Sequence, residues 1–107
     1  MARFIYLHRG PAASMPGLTP EQAAERTAAF RAWTERAGAA LVDVGCPFGA
    51  SASVRDDGAE GAAGDLTGYT IVEAGDLAAA RALTDGLPFL SGADGKCAVE
   101  IFELLPM

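Results

Sequence analysis

His8 is the sole histidine in a 107-residue chain, and it is the residue best suited to exchange a proton near neutral pH. It ends the apolar run Arg3–His8 and shares strand parity with Phe4 and Tyr6. Asp43 interrupts the apolar stretch Leu41–Gly45, on the face expected for Leu41 and Gly45. If the two strands turn Asp43 toward His8, the carboxylate would hold the imidazole in one tautomer and raise its basicity, making it a general base. Arg9, beside His8, is the positive group placed to hold an acidic ligand, and Tyr69 could lend a hydroxyl to the same cleft. The competing arrangement is plainer. It leaves His8 hydrogen-bonded or half exposed at a strand end, pairs Asp43 with Arg3 or Arg9, and turns Arg9 and the Tyr69 hydroxyl to solvent.

Other chemistry is poorly provided for. Ser51 and Ser53 lie in no Gly-x-Ser-x-Gly elbow, and Cys46 has no flanking cation to lower its pKa. One histidine and scattered carboxylates do not make a zinc or iron ligand set, so no metal is expected. Asp56, Asp57, Glu60 and Asp65 lack the spacing of a calcium loop and suit turns instead. No cofactor is expected, and haem has no support in the placement of His8.

The elements that must position these groups follow from the order of patterns. Arg3–His8 reads as a strand with sizeable side chains on both faces. Gly10–Leu18, rich in glycine and proline, reads as a loop that could cover a cleft. Thr19 caps a helix, with Pro20 in its first position and Gln22 completing a capping box. Ala23, Thr27, Phe30, Trp33, Thr34 and Ala37 form its expected buried stripe, with Arg26 elsewhere, and Gly38 ends it. Leu41–Gly45 and Gly68–Glu73 are the next two strands, separated by a turn at Cys46–Gly49, extended chain at Ser51–Val54 and an exposed loop at Arg55–Leu66. Asp76 caps a second helix with Leu77, Ala80, Leu83, Thr84 and Leu87 inward, and Pro88 stops it. A glycine-containing loop, Ser91–Lys96, leads into the closing strand Cys97–Leu105. This order, βαββαβ, is the ferredoxin-like α+β plan, with helices on one side of an antiparallel sheet. An apolar second face needs a cover, and a homodimer packed sheet against sheet supplies the simplest one.

The length suits a single domain spanning 1–107, and half of the residues are hydrophobic. A net charge of −6 opposes binding to nucleic acid or to an anionic membrane. The start of the chain lacks the apolar segment of a signal peptide, and the stretch from Ala37 is broken by Asp43, Gly45, Pro47 and Gly49, so no membrane span is expected. Cys46 and Cys97, without secretory context, read as reduced thiols in a cytoplasm.

The chain resembles the YCII-related (DGPF-type) proteins, small bacterial members of the dimeric α+β barrel group. The likeness lies in Gly45-Cys46-Pro47-Phe48-Gly49, in Gly68-Tyr69-Thr70-Ile71-Val72-Glu73-Ala74, in Asp76-Leu77 and Leu87-Pro88-Phe89-Leu90, and in Val99 through Met107. It implies a homodimer with a cleft in each subunit, built in some members around a histidine and an aspartate. Here Phe89 stands where related sequences often carry a histidine, and the Asp-Gly-Pro-Phe segment is not intact. The function expected is a small-molecule-binding protein or enzyme whose cleft takes a mostly apolar molecule with a polar or acidic end, with proton transfer by His8 and Asp43. The alternative is a non-catalytic accessory module acting through its dimer surface or a protein partner.

Overall fold

Four long-range strands form one antiparallel sheet. In the computed structural model, which describes residues 1–10, 19–90 and 97–106, the chain runs through β1 (Ala2–Arg9), α1 (Pro20–Ala37), β2 (Leu41–Asp43), β3 (Ser53–Val54), β4 (Glu60–Gly61), β5 (Leu66–Ala74), α2 (Leu77–Ala82) and β6 (Ala98–Leu104). The sheet order is β2-β5-β1-β6, and β3 with β4 makes a separate hairpin. Without that hairpin the connectivity is βαββαβ with the first and third strands central, so the chain has a ferredoxin-like α+β fold. The loops expected at Gly10–Leu18 and Ser91–Lys96 fall almost wholly outside the described residues.

Strand alternation places the core. Phe4 and Tyr6 of β1 and Thr70 and Val72 of β5 are almost wholly buried on one face, where Trp33 and Ala37 of α1, Ala80 of α2 and Leu87 meet them. The Trp33 indole Nε1 donates to the Leu83 carbonyl at 2.8 Å, and the Tyr6 hydroxyl donates to the Ala80 carbonyl at 2.5 Å. These bonds tie both helices to the sheet and satisfy two polar groups that burial would otherwise penalise. Burial pushes the Tyr6 phenol up to about 12, so it remains a donor.

Both helices start as their sequences require. Thr19 accepts from the Gln22 amide at 3.1 Å, while the Gln22 side chain accepts from the Thr19 amide at 3.0 Å. Asp76 accepts from the Ala79 amide at 2.8 Å. The first helix ends where expected and the second does not. Gly38 has φ +54 and closes α1, but α2 stops at Ala82. Bonds from Thr84 to Arg81 and from Asp85 to Ala82 tighten the chain, and Gly86 at φ +84 reverses it. Leu77, expected inward, is exposed at the first position of this short helix, and Ala80 is its buried residue. The buried stripe of α1 is also rotated from the expected one: Trp33 and Ala37 are buried and Arg26 and Phe30 half-buried, while Ala23 and Thr27 are exposed. Within Arg55–Leu66, read as a loop, β4 pairs Glu60 with Val54.

Among the described residues, the other face of the sheet carries no helix. Ile5 and Leu7 of β1 pair across to Phe102 and Glu100 of β6 and to Ile71 and Tyr69 of β5. On this face Phe102 is 53% exposed and Leu104 39%.

Candidate functional site

The segment after β2 shapes the site before any side chain does. Gly45 takes φ +77, and a Cβ built there would lie 1.7 Å from the Tyr69 carbonyl oxygen, so only glycine fits against β5. Beyond it the chain rejoins the sheet edge: Pro47 bridges Gly68, and the Phe48 amide donates to the Thr67 carbonyl at 2.8 Å. The aromatic ring of Phe48 stacks on Tyr69 with centroids 5.9 Å apart. Between this segment, α1 and the helix-bearing face of the sheet lies a cavity of about 460 Å³, lined by His8, Arg26, Phe30, the segments 44–48 and 67–70, Leu87 and Phe89. That volume falls in the range of small-molecule sites.

His8 enters the cavity from the end of β1, beside a bulge. The register shifts between His8, opposite Gly68, and Arg9, opposite Leu66. Thr67, the extra residue, donates its hydroxyl to the His8 carbonyl at 3.2 Å, which fixes the backbone there. The imidazole Nε2 lies 3.3 Å from the Thr70 hydroxyl oxygen, and that hydroxyl donates to the Val44 carbonyl at 3.0 Å. One hydroxyl has one proton. With it committed to Val44, Thr70 accepts from Nε2–H, so the neutral ring carries its proton on Nε2 and presents Nδ1 as the acceptor. No buried side-chain nitrogen or oxygen among the described residues lacks a partner, and Nδ1 has none, so it is open to an incoming molecule. Phe89 packs edge-on against the ring at 4.9 Å and 90°. Burial lowers the His8 pKa from 6.5, which keeps the ring neutral at pH 7.

Asp43 does not meet His8. The register shifts between Leu41, opposite Val72, and Asp43, opposite Ile71, so these two residues leave the common face that plain alternation predicts. His8 lies opposite Gly68, three positions from Ile71 along β5. An odd separation puts His8 and Asp43 on opposite faces of the sheet. Asp43 instead accepts from the Gly45 amide and from the Tyr69 hydroxyl, each at 2.9 Å. The bond to Asp43 raises the Tyr69 pKa, so the phenol stays protonated, clamping the turn from the outer face. Arg9 is also engaged elsewhere: it forks onto Glu100 with two bonds of 3.1 Å and contacts Asp65. The competing pairing of Asp43 with Arg3 or Arg9 is likewise absent among the described residues, Arg3 lying against Glu73 at 3.6 Å.

Thr70 and Arg26 are the groups that sequence reasoning missed. Thr70 gave no signal beyond alternation with Val72. Arg26 had one, because Arg26, Phe30, Trp33 and Ala37 recur at i, i+4, i+7 and i+11, the spacing of one helix face. A stripe read through Ala23 and Thr27 hides it. Cys46 and Cys97 are free thiols, and the described residues contain no group of three or more His, Cys, Asp or Glu arranged to hold a metal. None of the described helices is long and apolar enough to cross a membrane.

Neither a protein-family model nor a curated protein sequence matches the chain. A solved structure does: 5-chloro-2-hydroxyhydroquinone dehydrochlorinase from Burkholderia phenoliruptrix AC1100, in complex with 2,5-dihydroxybenzoquinone, superposes with a TM-score of 0.55 over 95% of this chain and 91% of that one, at 21% identity. This likeness, spanning nearly the full length of both chains, bears on architecture and agrees with the ferredoxin-like sheet order derived above.

Proposed function

We propose that this chain is a small-molecule-binding protein of the YCII-like dimeric α+β barrel kind, and that it acts as an enzyme by proton transfer at His8. The observation that carries this reading is the free Nδ1 of a neutral imidazole at an apolar cavity, with Nε2–H held by Thr70. Such a nitrogen can take a proton from a bound acid and return it without rearranging its supports. Thr70 therefore performs the orienting task expected of Asp43. The structural neighbour supports the reading at the level of class, being a small enzyme of the same fold with a cyclic oxygenated ligand bound.

The homodimer belongs to the same proposal. Phe102, Leu104, Ile5 and Ile71 give the helix-free face an apolar surface that a second copy would cover. Free thiols at Cys46 and Cys97 support a reducing, cytoplasmic location.

The test is titration with 2,5-dihydroxybenzoquinone, followed through the ring resonances of His8, Phe30 and Phe89 in the intact chain and those of Phe30 and Phe89 in His8→Gln. Saturable shifts at all three rings in the intact chain, with those of Phe30 and Phe89 weakened in the variant, support the cavity as the ligand site. Binding that leaves these three residues unmoved, or that His8→Gln does not affect, contradicts it.

A further inference from the structure

The cavity has an electrostatic character that the molecule as a whole does not. With 14 acidic against 8 basic residues the chain is acidic, yet no Asp or Glu among the described residues lines this cavity, and its ionisable walls include His8 and Arg26. Arg26 is anomalous on two counts. It occupies an inward position of α1, one turn before Phe30, where the stripe leading to Trp33 and Ala37 would otherwise take an apolar residue. Its side chain also has no hydrogen bond or ion pair among the described residues, unlike those of Arg3, Arg9 and Arg36. The other described arginines without such a partner, Arg31, Arg55 and Arg81, are exposed, whereas Arg26 is half-buried. A half-buried arginine whose donors meet no protein acceptor leaves its guanidinium fork free for a ligand anion.

We propose that Arg26 is the anion anchor of this cavity and that the ligand is a small aromatic anion, a carboxylate or phenolate. This rests on the cavity reading above and adds the ligand's class. The guanidinium offers a planar fork of donors matched to such oxygens. Phe30 and Phe89 supply apolar, ring-shaped walls, and exclusion of water by these rings strengthens the attraction between Arg26 and the anion. Arg9, bound to Glu100 and Asp65, is not available for the same task.

A matched pair of probes tests this: benzoate and benzyl alcohol, titrated into the intact chain, Arg26→Gln and Arg26→Lys, with resonances of His8, Phe30 and Phe89 as readout. Benzoate is expected to bind the unaltered chain at least about tenfold more tightly than benzyl alcohol, since a hydrogen bond to a charged group is worth that factor or more. Arg26→Gln should abolish the preference, chiefly by weakening benzoate, and shifts of the same three resonances by benzyl alcohol show that the variant is folded. Arg26→Lys should keep part of it. Equal binding of the two probes to the unaltered chain, or a preference that survives Arg26→Gln, overturns the anchor and leaves the cavity standing. If neither probe moves the three resonances, the cavity reading falls and the anchor with it.

Discussion

A proton on Nε2 and a bare Nδ1 make His8 an acceptor whose readiness depends on Thr70. Replacing Thr70 with Val removes the acceptor for Nε2–H and the donor to the Val44 carbonyl from an almost wholly buried position, at a cost of about 1–3 kcal/mol in denaturant unfolding. Thr70→Ser should recover most of it, and a variant that unfolds like the parent would contradict the network. Because the folded pKa of His8 is lowered from 6.5, the unfolded chain binds more protons just below that value. Stability contributed by the neutral ring is therefore complete above pH 6.5, declines as pH falls, and levels off below the folded pKa. In His8→Gln this slope of the urea midpoint should vanish. Asp43 shows why a charged residue in an apolar strand is weak evidence for a partner. Its side was set by the register shift after Leu41, which no alternation pattern carries, whereas His8 itself stood out by type and position.

Among the elements, those with a strong period or a cap were legible. The capping box at Thr19, the cap at Asp76 and the alternating runs of β1, β5 and β6 carry the βαββαβ order in local chemistry. The β3–β4 hairpin was not, because strands of two residues are too short to show a period. The early end of α2 depends on the turn through Asp85 and Gly86, a matter of backbone bonds rather than of apolar spacing. The segment across β5 offers the sharpest test at this scale. Gly45→Ala forces a Cβ onto the Tyr69 carbonyl at positive φ and should destabilise the fold by about 2 kcal/mol or more in thermal or denaturant unfolding, with loss of ligand binding at the cavity rim. On the facing helix, Trp33→Ala removes a side chain only 1% exposed and should cost about 3–5 kcal/mol.

For the whole molecule, shape matters as much as charge. The chain is flat, with extents of 44 × 39 × 22 Å, because the helices cover one face of the sheet only. The proposed dimer would bring two such layers together. Phe102→Asp, on the helix-free face, should convert the dimer to monomer in a native mass spectrum while leaving the His8 cavity, on the opposite face, able to bind benzoate. An unchanged oligomer would exclude Phe102 from the interface. The two-faced apolar sheet was legible from β1 and β6 alone, since Ile5 and Leu7 alternate with Phe4 and Tyr6. The position of the cavity was not, because it depends on the Gly45 crossing and on the rotation of α1 that brings Arg26 inward.

The most direct test of the account is a pH titration of the His8 ring followed by long-range proton–nitrogen correlation, which reports both the midpoint and the protonated nitrogen. The expected result is a midpoint below 6.5 and, at pH 7, a neutral ring with its proton on Nε2. A midpoint at or above 6.5, or a proton on Nδ1 at pH 7, would contradict the claim that His8 offers a free acceptor to the cavity.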